Sequence, residues 1–354
     1  MSHDSQPPSI KAKIKQAMMA TPLTRRAFEV AKGVYNSLQR TSLALRCYVY
    51  DARNDLKFAD WRGTGKQYWK LSSELIFQYH KLEKGLCLPG PKRFFGEIPA
   101  RAVCRLMREW QSQGFPLDAP VYAAALEVLR GYRARLDMSP PPAAIAGSLI
   151  ALVDERLQGL PRHDEVSTPM PVTPLGEGAF DLLQSLAVTR RSVRAFDGTP
   201  VDFSLVEKAL RIAQLAPSAC NRQPWRVHFY RTPETIAAML ALQNGNRGFD
   251  TTIPLLAVIT ADQTGFFDAS ERIEPALDSG LFLMSFLLAL QSVGLSSCCL
   301  NWCVAPDRDR KGHAVGNIPA NERIATFLAI GVAADGALVP RSARRALSDV
   351  VVMH

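Results

Sequence analysis

Apolar positions recur at helical spacing through residues 25–50, 67–82, 100–113 and 121–136, and no stretch among them alternates as a strand would. The spacing predicts four helices. Pro140-Pro141-Pro142 cannot continue a helix, and a further apolar repeat from Ala146 to Gln158 predicts a fifth one after it. From Gly159 to Gly178 the chain reads GLPRHDEVSTPMPVTPLGEG, rich in turn formers and without apolar period, which is the composition of a linker. The pattern then changes. Ser204-x-x-Glu207 has the form of a capping box and opens a helix that runs to Ala216 and that Pro217 stops. Short apolar runs at Arg226–Tyr230, Pro254–Thr260, Leu295–Asn301 and Ile324–Val332 predict strands. Thr232-Pro233-Glu234 and the long apolar stretch after Asp278 predict helices between them. The expected organisation is an all-α domain over residues 1–158, a linker over 159–177 and an α+β domain over 178–354.

Composition narrows the function classes. Of 354 residues, 47% are hydrophobic and 21% charged, which suits a buried core and excludes a disordered polymer. The formal charge of +9 belongs to the first half: residues 1–175 hold 25 Lys and Arg against 16 Asp and Glu, whereas residues 176–354 hold 17 of each. A basic half favours an anionic partner, yet no basic run is interleaved with aromatics, so nucleic acid is not expected. The first twenty residues are polar and basic, unlike a secretory leader, and the seven cysteines are an odd, scattered set. A cytoplasmic protein with reduced thiols is expected. Ser279–Pro306 carries no charge and approaches spanning length, but Gln291, Ser292, Gly294, Ser296 and Ser297 interrupt it. A buried helix followed by a strand is expected there, and no membrane span.

Common chemical motifs are missing. Gly63-Thr64-Gly65-Lys66 lacks the first glycine and the final hydroxyl of a phosphate loop, and no G-x-G-x-x-G follows a strand. Cys298, Cys299 and Cys303 cluster without a C-x-x-C pair or a histidine at ligand spacing, so no metal is expected. Two stretches remain. Arg190, Arg191, Ser192 and Arg194 place guanidinium groups and a hydroxyl just after a helix, a set suited to a phosphate monoester. Pro217-Ser218-Ala219-Cys220-Asn221-Arg222-Gln223-Pro224-Trp225 combines small residues, which let a flat ring approach the backbone, with the amides of Asn221 and Gln223.

These two stretches resemble the R-x-S-x-R/K-x-F and P-S-x-x-N-x-Q-P-W motifs of the FMN-dependent nitroreductase family, in the family's order. The likeness runs over about residues 178–354 and implies an α+β, three-layer sandwich with a central mixed sheet, assembled as a homodimer with FMN at the interface. It implies NADH or NADPH as hydride donor and a small-molecule electron acceptor. Because the flavin carries such chemistry, no side chain is assigned as a catalytic acid or base. By the same likeness Asn244 and Arg247 lie near the flavin, the backbone at Leu300 or Asn301 donates to flavin N5, and Arg341, Arg344 and Arg345 reach the phosphate.

In the first half, Tyr79 to Leu86 (YHKLEKGL) resembles a segment of nitroreductase-like proteins that accompany polysaccharide biosynthesis. His80, Glu83 and Lys84 fall on one helix face and could meet a ligand or the flavin domain; the plainer reading is a helix end with Gly85 as its stop. Asp307–Gly316 (DRDRKGHAVG) reads as a flexible charged segment, a lid or a surface loop. Three functions remain open: an FMN oxidoreductase with a small or sugar-linked acceptor, a flavin store or sensor without turnover, and an interaction module using the basic helical half.

Overall fold

The computed structural model describes residues 21–62, 65–89, 93–166 and 168–354; Gly63-Thr64 and the polar residues 1–20 lie outside them. Ten α-helices and four strands are present among the described residues. The first half is helical as its periodicity predicts: α1 (Pro22–Phe58), α2 (Tyr68–Cys87), α3 (Glu97–Ser112), α4 (Pro120–Met138) and α5 (Ala143–Leu157). Leu71, Leu75, Tyr79 and Leu82 line one face of α2 and are buried against Met107 and Trp110 of α3 and Leu126 and Leu129 of α4. Gly85 is not a stop. The helix continues to Cys87, and glycine is needed at 85 because the Phe95 ring fills the space where a side chain would stand. Lys66 and Arg105 hold the buried Glu74 between them, so Lys66 is an ion-pair residue of this core.

The second half comprises α6 (Ala179–Thr189), α7 (Phe203–Ala213), β1 (Trp225–Tyr230), α8 (Pro233–Leu240), β2 (Leu255–Asp262), α9 (Glu274–Ser292), β3 (Ser296–Asn301), α10 (Pro306–Gly316) and β4 (Glu322–Gly331). The strands form one sheet in the order β1-β2-β4-β3, with every neighbouring pair antiparallel. The expected mixed sheet is antiparallel; among the described residues parallel pairing occurs only at the single bridge between Ser192 and Ser297, because the chain before α7 adds one contact rather than a strand. One face packs on α7 and α9 through Val206, Phe282, Phe286 and Leu290, with Trp225 stacked on Phe282. The other face packs on Val193, Phe196, Ile236 and Met239, so apolar layers cover both sides. This is an α+β sandwich.

Three local expectations change. The α7 cap is Asp202, whose carboxylate accepts the Ser204 N–H at 2.9 Å, so Ser204 lies inside the first turn. The segment 307–316 is helical rather than a flexible loop. Its charges serve packing: Asp309 accepts the Trp302 indole N–H at 2.6 Å, His313 lies 3.5 Å from Asp309, and Trp302 stacks on Phe327 with ring centres 4.5 Å apart. Compact units also divide differently from the expected linker at 159–177. Residues 22–53 belong with Ala305–Asp307, and Asn54–Val304 belongs with Arg308–His354. Helices α2 to α5 thus share a unit with the sheet. Helix α2 contacts Ala219–Asn221 and Gln263–Gly265, and just before it Trp61 Nε1–H donates to the Thr264 carbonyl at 2.9 Å and Gln263 donates to Asp55 at 2.9 Å.

Candidate functional site

Residues 190–197 run off the end of α6 and are pinned at two places. The Val193 N–H donates to the Ser297 carbonyl at 3.1 Å, and at the far end the Ala334 N–H donates to Ala195 and the Asp197 N–H to Val332. Val193 and Phe196 are buried, which turns the residues between them outward: Arg190, Arg191 and Ser192 are half-buried and Arg194 is exposed. Arg191 donates to the Arg190 carbonyl and Arg194 to the Ser192 carbonyl. Among the described residues none of Arg190, Arg191 and Arg194 has a carboxylate partner. Burial pushes the Cys298 thiol up, with the Arg194 charge and a bond from Ser192 acting against it. That thiol is a neutral core group beside the arginines.

The loop from Pro217 to Trp225 is held in an uncommon backbone conformation. Cys220, Asn221 and Gln223 have φ of 51°, 55° and 52°, the left-handed region that side chains seldom adopt. Several bonds hold it there. The Ala219 N–H donates to Asp278 at 3.0 Å, the Gln223 N–H donates to Ser218 Oγ at 3.0 Å, and Gln223 Nε2 donates to the Asn221 carbonyl at 3.0 Å. Burial pushes the Asp278 carboxyl up to about 6, against the Ala219 bond that lowers it. Arg222 is only 1% exposed: it donates to the carbonyls of Ala219 and Gly265, forms a two-pronged pair with Glu271 at 2.8 and 2.6 Å, and lies over Phe266. Sequence reasoning passed over Arg222 and Asp278, because the motif leaves position 222 open and nothing linear joins 278 to 219.

Helix α2 packs against Ala219–Asn221. His80 Nδ1 lies 2.9 Å from Glu83, and Lys81 stands within electrostatic range of Cys220 and Lys84. Lys81, unremarked in the sequence, is the α2 side chain that stands beside Cys220, with Lys84 next to it.

At the edge of the sheet opposite β1, β3 is the outer strand. The Leu300 carbonyl accepts Thr326 Oγ1 from β4 at 2.9 Å, and the Leu300 side chain is buried. The Asn301 carbonyl faces the opposite way and accepts the Gln243 carboxamide, which also accepts the Gly245 N–H. Backbone N–H and C=O of one residue share a side in antiparallel pairing, so the N–H of Asn301 opens onto the free edge and that of Leu300 onto β4. Gln243 thereby ties the loop of Asn244 and Arg247 to the end of β3. Asn244 accepts from Arg308 at 2.8 Å and Arg247 is exposed. Arg341, Arg344 and Arg345 lie on an exposed tail; Arg344 donates to the Ser342 carbonyl, and none of the three bonds to residues 190–196.

Residues 187–244 match the model described as the Nitroreductase family. The iodotyrosine deiodinase of Drosophila melanogaster is 27% identical over 216 residues, which is 52% of this chain and 73% of that protein. A Streptomyces coelicolor protein described as an NADH dehydrogenase/NAD(P)H nitroreductase is 36% identical over 98 residues, 27% of this chain and 46% of that one. Among solved structures, an FMN-dependent nitroreductase from Clostridium difficile R20291 aligns with a TM-score of 0.37 and 21% identity, over 42% of this chain and 86% of that one.

Proposed function

We propose that this chain, whose residues 187–244 match the Nitroreductase family model, is an FMN-dependent oxidoreductase that takes hydride from NADH or NADPH and reduces a small or sugar-linked acceptor. The observation that carries this reading is the set of guanidinium groups at Arg190, Arg191 and Arg194, without carboxylates and beside an open sheet edge. Arginines without a carboxylate partner among the described residues, two half-buried and one exposed, next to a hydroxyl fit a dianionic phosphate, which offers each of them charge-assisted bonds. The donor set thus fits FMN.

FMN would supply the hydride acceptance and electron transfer, and the residues of this chain bind and orient it. Arg190, Arg191, Ser192 and Arg194 hold the phosphate. Pro217, Ser218 and Ala219 would give the flavin a backbone wall, and the amides of Asn221 and Gln223, bonded to each other here, would offer it hydrogen bonds. Asn244 and Arg247 close the other side. The N5 contact falls to the Asn301 N–H rather than to Leu300, whose backbone groups face β4. Arg341, Arg344 and Arg345 lie on a tail free to reach the phosphate of a second copy, in keeping with a homodimer. Exposed Leu277, Leu281 and Met284 on α9 and Phe180, Leu182 and Leu183 on α6 supply apolar surface for that assembly. The cytoplasm, where NADH and NADPH are at hand and thiols stay reduced, suits the seven free cysteines.

Acceptor choice belongs to α2. Lys81 beside the loop, with Lys84 and the His80–Glu83 pair on the same helix, suits an acidic or phosphorylated acceptor, which agrees with a sugar-linked substrate and a role in polysaccharide biosynthesis. Anaerobic addition of NADH or NADPH to the purified protein tests turnover: bleaching of the flavin absorbance, restored by an acceptor, is expected. Flavin that neither nucleotide reduces would make the protein a store or sensor instead.

A further inference from the structure

Residues 22–53 form a strongly amphipathic helix whose apolar side is exposed. At the helical angle per residue, Leu23, Val30, Val34, Leu38, Leu45 and Val49 fall within an arc of about 100°. Each of them is between 46% and 81% exposed. Tyr35, also exposed, widens the arc to about 140°. The same residues carry six Lys and Arg against two Asp and Glu. Arg25 pairs with Glu29 and Arg46 with Asp307, but Arg53 along one border of the apolar arc, Arg26 along the other, and Lys32 further round on the polar side have no carboxylate partner among the described residues.

The width of this face and the charges at its borders decide what covers it. A seam between two helices needs a narrower stripe of two positions per heptad, and docking a second copy would bring like-charged borders together. So many charges also exclude a spanning helix. A flat, negatively charged surface with an apolar interior accepts both the broad arc and the cations beside it. We propose that residues 22–53 lie in the interface of an anionic lipid bilayer and act as a peripheral anchor, with the helix axis parallel to the membrane over about 48 Å.

Co-sedimentation of the full-length protein with vesicles tests this, comparing pure phosphatidylcholine with phosphatidylcholine containing about 30% phosphatidylserine. Binding to the anionic vesicles, weakened by high salt, and little binding to the neutral ones is expected. The double variant Leu38→Glu/Leu45→Glu and the charge reversal Lys32→Glu/Arg53→Glu should each lower partitioning by at least about tenfold. All four positions are on the surface, so an unchanged melting temperature confirms an intact fold. Absence of binding to anionic vesicles by the unaltered protein, or charge-reversed protein that binds as well as the original, would overturn the proposal. So would a fall in sedimentation mass of Leu38→Glu/Leu45→Glu without lipid, which would assign the face to a second copy of the chain.

Discussion

Arg194 and Arg222 are the same residue type, and their surroundings give them opposite work. Arg222 is enclosed, bound through two nitrogens to Glu271 and stacked on Phe266. Arg194 is exposed beside Ser192 and has no carboxylate partner among the described residues. Arg194→Ala should therefore leave the fold intact and weaken FMN binding by at least about tenfold, as loss of one charge-assisted bond implies. Titration of FMN into the apoprotein measures this; equal affinity would put the phosphate elsewhere. Asp278 offers a second test. Burial raises its carboxyl from 3.8 to about 6, so the fold favours the protonated form. Its contribution is complete below about pH 4 and is lost as pH rises through 6. The melting temperature of the unaltered protein should fall from pH 4 to pH 6 relative to Asp278→Asn, which stays neutral and still offers an oxygen to the Ala219 N–H. Parallel melting curves for the two proteins would contradict this assignment.

The loop from Pro217 to Trp225 keeps three residues in left-handed geometry, and Arg222 is the bolt that holds it. Arg222→Ala would leave Glu271 unpaired in a mostly buried place, at a cost of about 3–5 kcal/mol. Urea unfolding of the full chain should show that loss together with reduced flavin content. Helix α2, which packs on the same loop, affects a different property. His80→Ala should alter acceptor KM and kcat while flavin content stays constant; unchanged kinetics with acidic acceptors would remove α2 from the acceptor site. Much of this region was legible in the chain. The helical periods of α2 to α5 and the linear motifs at 190–196 and 217–225 announce themselves because each is short-range. Segment 307–316 was not legible, since its charges read as solvation until Trp302 is seen to donate to Asp309. Gly85 misled for a related reason: glycine marks helix ends by conformation, whereas here it makes room for a distant ring. Choosing Asn301 over Leu300 required the pairing side of β3, which alternation alone does not reveal.

At the level of the whole chain, the anticipated boundary at 159–177 reflects composition, but helices α2 to α5 share a compact unit with the sheet. Turn formers mark a flexible stretch; they do not report the contacts of Trp61 and Asp55 made across more than 200 positions of sequence. The exposed apolar residues of α6 and α9 lead to the expectation of a homodimer at micromolar concentration, which sedimentation velocity would show; a flavin-loaded monomer would contradict it. The most direct measurement is the identity of the bound cofactor. Heat release from the purified full-length protein, followed by chromatography against flavin standards, should give FMN in stoichiometric amount. FAD in its place, or a colourless protein that does not take up FMN, would contradict the assignment of Arg190, Arg191, Ser192 and Arg194 as its phosphate site.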